Sequence, residues 1–110
     1  MKKEKWVFQM FDPEHFPHLF NMLHANLDRV DLKVVLIAGA VLPVFTHGHL
    51  RETIEELISQ GVNYEICNNS MHILGLDGQE PPKGATVATN GGLQAIHAAR
   101  KAGYEYYVVA

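Results

Sequence analysis

The sequence predicts an α/β protein in which a parallel β-sheet is covered by helices on both faces. Short apolar runs rich in β-branched and aromatic residues alternate with amphipathic helical patterns along all 110 residues. Glycine or proline stands at most of the boundaries between these segments. Parallel strands need a crossover connection, which is usually a helix, so strict alternation of the two patterns indicates a parallel sheet.

The first half of the chain holds two apolar strands. Residues 6–11 are almost entirely apolar, which is typical of a strand buried on both faces. Asp12-Pro13 predicts a helix start, because aspartate caps free N–H groups and proline fits the first helical position. Apolar residues then recur every three or four positions to a helix end near Arg29. Residues 32–38 are predicted as the second buried strand, and residues 39–43 as a turn.

The middle of the chain carries a helix, a strand and a short helix. The helical pattern runs from Leu50 to Ile58, and Gly61 fits its C-terminal cap. Residues 62–66 alternate between apolar and polar, so this third strand is predicted to be more exposed than the first two. A short helix is expected from about Asn69 to Leu74.

The last part repeats the alternation. The Pro-Pro pair places residues 77–84 in a surface loop. Residues 86–88 form a predicted short strand, and residues 89–92 open a helix that Gly103 closes. The final strand is predicted over residues 104–109, which completes five strands and four helices.

Composition excludes several classes of function. The net charge is −3 and no lysine or arginine cluster forms a basic face, so nucleic-acid binding is not expected. No run approaches the roughly 18 apolar residues of a membrane span, and the N-terminal apolar run is too short for a secretion signal. A single cysteine allows no internal disulfide, which fits a reducing compartment. We expect one cytoplasmic domain over residues 1–110.

Cys67 is the strongest candidate for a functional atom. It closes the third predicted strand and precedes Asn68, Asn69 and Ser70, which are strong helix-capping types. Ligands of open parallel sheets bind at the carboxyl ends of the strands. A thiol there, at a helix start, is expected to favour its reactive thiolate form. The alternative is a small buried cysteine with a packing role only.

Two weaker features lie in other loops. Asn90 and Gly91 belong to a Thr-Asn-Gly-Gly turn whose N–H groups could hold a small anion, or which simply tolerates glycine at a helix start. His47 and His49 form the closest histidine pair and could chelate a metal in an extended loop. Ordinary surface or loop histidines are the favoured interpretation of that pair, so no metal or other cofactor is predicted.

Two motifs resemble a known family. Residues 61–70 read Gly-Val-Asn-Tyr-Glu-Ile-Cys-Asn-Asn-Ser, and residues 102–107 read Ala-Gly-Tyr-Glu-Tyr-Tyr. Both are similar to motifs of the DsrE/DsrF-like family of small intracellular sulfur-relay proteins, in the same order and spacing. Asn68 stands where many relatives have glycine.

The resemblance implies a fold and a function. The fold would be a three-layer α/β/α arrangement with a five-stranded parallel sheet, flavodoxin-like in general architecture and assembled into dimers, trimers or hexamers. Cys67 would carry sulfur as a persulfide between donor and acceptor proteins, a sulfurtransferase-like role. The resemblance extends to Cys67 alone. We expect from residue type and position that Asn68, Asn69 and Ser70 supply hydrogen-bond donors to the anionic sulfur, with Asn90 and Gly91 contributing from the neighbouring loop. The alternative is a non-catalytic oligomeric module that binds a small anion or nucleotide, with Cys67 structural.

Overall fold

Strands and helices alternate along the chain in the computed structural model, which describes residues 3–110. Met1 and Lys2 belong to the predicted domain but lie outside the described residues. The strands are β1 (Glu4–Met10), β2 (Val30–Leu36), β3 (Asn63–Cys67), β4 (Thr86–Ala88) and β5 (Glu105–Val109). The helices are α1 (Phe16–Asn26), α2 (His49–Ser59), α3 (Asn68–Ile73) and α4 (Gly92–Lys101).

The five strands form one parallel sheet in the order β4-β3-β2-β1-β5. The predicted parallel α/β fold is therefore confirmed. The chain steps from β1 to β4 in one direction and then returns across the sheet to β5. Because crossovers between parallel strands are right-handed, the first three connections lie on one face and the return connection lies on the other.

The two faces of the sheet are consequently covered to different extents. Helices α1, α2 and α3 pack on what we call the three-helix face, where a large core includes Leu23, Leu57 and Tyr64. Helix α4 packs alone on the opposite face, which we call the α4 face. Within residues 3–110, the core cluster on that side has four buried apolar members, Val7, Val35, Ile96 and Ala99.

Strand register decides which side chains reach the α4 face. Val7 pairs with Tyr106 and Gln9 pairs with Val108, and Gln9 is also level with Val35. Val35 is in turn level with Glu65 of β3. Alternate residues of a strand share a face, so Gln9 and Cys67 both belong to the α4 face.

The start of the first helix differs from the prediction. Asp12 makes no side-chain capping bond, and Pro13–His15 form a 3₁₀ turn instead of the first turn of α1. Helix α1 begins at Phe16 because Pro17, whose φ is already helical, occupies its first turn. The helix ends at Asn26, one turn before the predicted end near Arg29.

The predicted turn at residues 39–43 is also more ordered than expected. Residues Ala38–Phe45 form a continuous 3₁₀ segment. Val41 and Val44 are fully buried in the core of the three-helix face, and this burial stabilises the segment.

None of the helices in the described part of the chain has both the length and the apolar character needed to cross a membrane.

Candidate functional site

Cys67 occupies the junction between β3 and α3. It is the last residue of the strand and the N-cap residue of the helix, with an extended backbone. Its side chain lies on the α4 face at the carboxyl edge of the sheet, and the residue is 5% exposed. No second cysteine exists in the chain, so every thiol property of the protein belongs to this position.

Hydrogen bonds converge on the Cys67 sulfur. The backbone N–H of Gly92 donates to Sγ with an N···S distance of 3.3 Å. Burial raises the pKa of Cys67, but bonds from the Ser70 hydroxyl and from the backbone N–H groups of Ser70, Gly92 and Asn69 outweigh it. The net effect lowers the pKa of Cys67 below its ordinary value, because these donors stabilise the thiolate.

The close approach of α4 to Cys67 depends on the absence of a side chain at Gly92. A Cβ at this position would lie 2.6 Å from Cγ1 of Ile37 and 3.2 Å from Cβ of Cys67. Gly91 precedes it with φ +93°, a left-handed conformation that favours glycine. The two glycines thus have separate roles, since Gly91 makes the turn and Gly92 brings an N–H group against the sulfur.

Ser70 connects the site to the neighbouring strand. Its Oγ accepts a 2.9 Å hydrogen bond from the backbone N–H of Ala38, the residue that begins the 3₁₀ segment. Ala38 has a positive φ of +56°, which lies in the left-handed region of backbone conformation. Among the residues that the structure describes, it is the one non-glycine residue with a positive φ. The bond from Ala38 leaves the Ser70 hydroxyl proton available for the Cys67 sulfur.

Cys67 lies at one side of a cleft of about 580 Å³ along the carboxyl edge of the sheet. Asn69, Ser70, Asn90 and Gly91, four of the predicted binding residues, line it with Cys67. Asn68 does not line this cleft. Successive residues of a helix point about 100° apart, so α3 cannot direct all three of its first side chains to one side.

Exposed apolar side chains surround the mouth of the cleft. Phe11, Ile73 and Leu93 are 38%, 82% and 76% exposed and come from three different elements. The lining residues include no charged side chain. The site therefore offers an uncharged, mainly apolar surround to a sulfur that is itself stabilised as an anion.

Sequence reasoning missed two residues of the site. Gly92 was predicted only as part of a helix-opening turn, and its contact with Cys67 follows from the sheet order. Gln9 lines the cleft although it lies in the middle of the apolar strand β1, and it is only 6% exposed. A polar side chain inside a strand buried on both faces was the available signal, because burying it unpaired would cost free energy.

The metal-ligating group found in the described residues does not include the predicted histidine pair. In residues 3–110, one group of three metal-ligating side chains has its ligand atoms within 4.8 Å of one another, namely Asp12, Glu14 and His15. Asp12 and Glu14 are exposed. His47 and His49 belong to no such group in the described part of the chain.

Comparisons with known proteins support the fold. Protein MTH1491 of unknown function, from Methanobacterium thermoautotrophicum, superposes with a TM-score of 0.85 at 22% identity, covering 96% of this chain and 99% of its own. The ychN protein from E. coli gives 0.72 at 17% identity, covering 97% and 99%. No protein-family model and no curated protein matches the sequence. These likenesses support the DsrE-like fold and leave the activity to be inferred from the site.

Proposed function

We propose that this protein carries persulfide sulfur on Cys67 and passes it to the thiol of a partner. The observation that supports the proposal is the set of donors around Sγ, with the Gly92 N–H at 3.3 Å and further bonds from Ser70 and Asn69. The thiolate is the nucleophile in sulfur exchange, so a group of donors that favours it favours the reaction.

Each sulfur transfer breaks one S–S bond and forms another. The Cys67 thiolate attacks the outer sulfur of a donor persulfide, R–S–SH, and a new S–S bond forms on Cys67. The donor S–S bond breaks and its electron pair leaves with the donor thiolate, R–S⁻. An acceptor thiolate then attacks the outer sulfur of the Cys67 persulfide, which returns Cys67 to its thiolate form. No external oxidant or reductant is consumed.

Proteins are the proposed donor and acceptor. The cleft carries no charged side chain to bind an anionic small molecule, and Phe11, Ile73 and Leu93 present apolar surface around its mouth. Apolar surface of this kind suits contact with another protein. A reducing cytoplasm would keep Cys67 in the thiol form that the cycle needs.

Self-association is part of the same proposal. Strand β5 is an edge of the sheet, and its Tyr107 and Val108 are 42% and 50% exposed on opposite faces. Exposed apolar edge strands favour association with another chain. A homo-oligomer, whether dimer, trimer or hexamer, would cover these side chains.

A second candidate is favoured by the burial of Cys67. With 5% exposure the thiol could be structural, and the cleft beside Asn90 and Gly91 would then bind a small anion or nucleotide without chemistry. This reading predicts slow alkylation of the native thiol and no change in its rate when a sulfur donor is present.

Intact-mass measurement under a persulfide donor tests the two readings. The relay predicts that the wild type gains the mass of one sulfur atom and loses it to an added acceptor thiol. Cys67→Ser should gain none, and because Cys67 is the only cysteine the assignment needs no mapping. A wild type that gains no sulfur, and whose thiol alkylates slowly in the native state, contradicts the relay and supports the binding module.

A further inference from the structure

Gln9 is a buried polar residue that neither the large core nor the Cys67 hydrogen bonds explain. It lies in β1, next to the centre of the sheet, and is only 6% exposed. Its Oε1 accepts a hydrogen bond from the Tyr106 hydroxyl of β5. Within the described residues its Nε2 donates no hydrogen bond to the protein, while Gln9 itself lines the Cys67 cleft. A donor is thus left free toward the cleft.

The Tyr106 hydroxyl holds the oxygen end of the Gln9 carboxamide, which leaves the nitrogen end free. A tyrosine hydroxyl that donates to Oε1 leaves the two protons of Nε2 directed elsewhere. Among the described residues, Nε1 of Trp6 and the Tyr64 hydroxyl are the buried side-chain atoms without a partner. Nε2 of Gln9 is not one of them, so this donor stays accessible to an acceptor in the cleft. The arrangement is therefore suited to an acceptor, such as a thiolate sulfur, in the space beside Cys67.

The cleft has room for a second sulfur beside Cys67. Strands β1 and β3 lie on either side of β2, about 10 Å apart, and Cys67 lies two residues farther along the strands than Gln9. During exchange three sulfurs lie in a row, and two S–S bonds extend the row about 4 Å from Sγ of Cys67. A row that runs along the cleft toward β1 places the far sulfur between Cys67 and Gln9, which both line the cleft. It carries negative charge both when it leaves and when it attacks.

We propose that Gln9 is a binding residue for this second thiol: its free Nε2 donates a hydrogen bond to the thiolate that faces Cys67, and Tyr106 is a positioning residue that holds the carboxamide. The inference rests on the proposed sulfur relay. Gly92, Ser70 and Asn69 stabilise the thiolate at one end of the row of sulfurs. Gln9 stabilises the thiolate at the other end, so sulfur transfer becomes faster both to Cys67 and from it.

The test is the reaction of Cys67 with small disulfides whose leaving thiols differ in acidity. Gln9→Met, which keeps the length of the side chain and removes the donor, should slow the reaction about tenfold for the least acidic leaving thiol. The effect should shrink for more acidic thiols, because a less basic thiolate gains less from a hydrogen bond. The dependence of rate on leaving-thiol acidity therefore becomes steeper.

Two tyrosine variants control the experiment. Tyr106→Phe should shift the rates in the same direction by a smaller factor, since it frees the carboxamide without removing the donor. Tyr107→Phe is the matched control, because its hydroxyl donates to Glu105 at 2.9 Å and the residue faces the opposite side of the sheet. It should leave the rates at the wild-type value.

The outcomes separate this inference from the relay itself. If the wild type gains sulfur mass from a persulfide donor but Gln9→Met and Tyr106→Phe keep the wild-type dependence on leaving thiol, the role of Gln9 is overturned alone. If the wild type gains no sulfur, the relay is overturned and this role with it. Should Gln9→Met fail to fold, as judged by circular dichroism, the result with Tyr106→Phe decides.

Discussion

The two faces of the sheet use similar strands for different purposes. The three-helix face buries large apolar side chains from α1, α2 and α3 in a continuous core. In the described part of the chain, the α4 face has one helix and a core of four buried apolar residues, and Cys67, Gln9 and the cleft lie beside that core. The contrast indicates that stability is concentrated on one face, which leaves the other free to keep polar groups and an open cleft.

The cause is the order in which the strands are connected. Three consecutive crossovers in one direction must share a face, and a single return crossover leaves the opposite face with one helix. A ten-residue helix is about 15 Å long, and five strands about 4.8 Å apart are wider than it can cover. The open part lies at the carboxyl edge, where α4 begins beside Cys67.

The largest expected effect tests whether the three-helix face acts on stability alone. Leu57 is fully buried there, so Leu57→Ala should lower the free energy of unfolding by about 3 kcal/mol. The alkylation rate of Cys67 in the folded protein should not change. Urea unfolding and native-state alkylation measure the two quantities.

Leu93→Ala is the matched control for Leu57→Ala. Leu93 lies on α4 at the mouth of the cleft and is 76% exposed, so its loss should change stability by less than about 0.5 kcal/mol. A change in Cys67 alkylation with Leu57→Ala, under conditions where the protein stays folded, would break the division between the faces.

The sequence predicts the layers of this molecule better than it predicts the site. A strand that is buried on both faces appears in the sequence as an apolar run. In β3, Asn63 and Glu65 alternate with apolar residues, and Cys67 shares their side of the strand. The site also depends on the order of the strands. Gln9 lines the same cleft as Cys67, and Gly92 contacts Cys67, because β2 alone separates β1 from β3 and α4 crosses back over all three strands. No local pattern encodes that order.

Gly92 is the point at which α4 approaches Ile37 and Cys67. Gly92→Ala places a Cβ 2.6 Å from the Ile37 side chain and 3.2 Å from Cys67, which should cost about 2 kcal/mol of stability. It should also move the Gly92 N–H away from Sγ. The expected result is a raised pKa of the Cys67 thiol, measured by the pH dependence of alkylation.

Gly61→Ala separates the two effects of Gly92→Ala. Gly61 has φ +105° with no atom near the position of a Cβ, so alanine there strains the backbone and costs about 1 kcal/mol. It lies far from the cleft and should leave the thiol pKa unchanged. An equal shift of the thiol pKa in both variants would show that general destabilisation, and not the lost donor, controls Cys67.

A pair of tyrosines offers a smaller test of the same comparison. Tyr64, on the three-helix face, is fully buried, and its hydroxyl has no hydrogen-bond partner among residues 3–110. Tyr106, on the α4 face, donates to Gln9. Tyr64→Phe should raise the free energy of unfolding by about 1 kcal/mol, and Tyr106→Phe should lower it by a similar amount. Equal effects in thermal unfolding would contradict the distinction.

The smallest expected effect is a pH dependence that has opposite signs on the two faces. Hydrogen bonds lower the pKa of Cys67 in the folded protein, so between that pKa and the ordinary cysteine value of about 8.5 the unfolded chain holds more protons. Stability therefore rises with pH in this window, and the gain is lost as pH falls through the folded pKa. Cys67→Ser should remove the rise in urea titrations.

Tyr64 affects stability at higher pH than Cys67 does, and there stability falls as the pH rises. Burial raises its pKa in the folded protein, while the unfolded chain ionises at about 10. Above that pH the unfolded state releases a proton that the folded state keeps, so stability falls. Tyr64→Phe should reduce this alkaline loss and leave the rise below about pH 8.5 intact, whereas Cys67→Ser should do the reverse. If either variant changed both limbs of the profile, the two faces would not titrate independently.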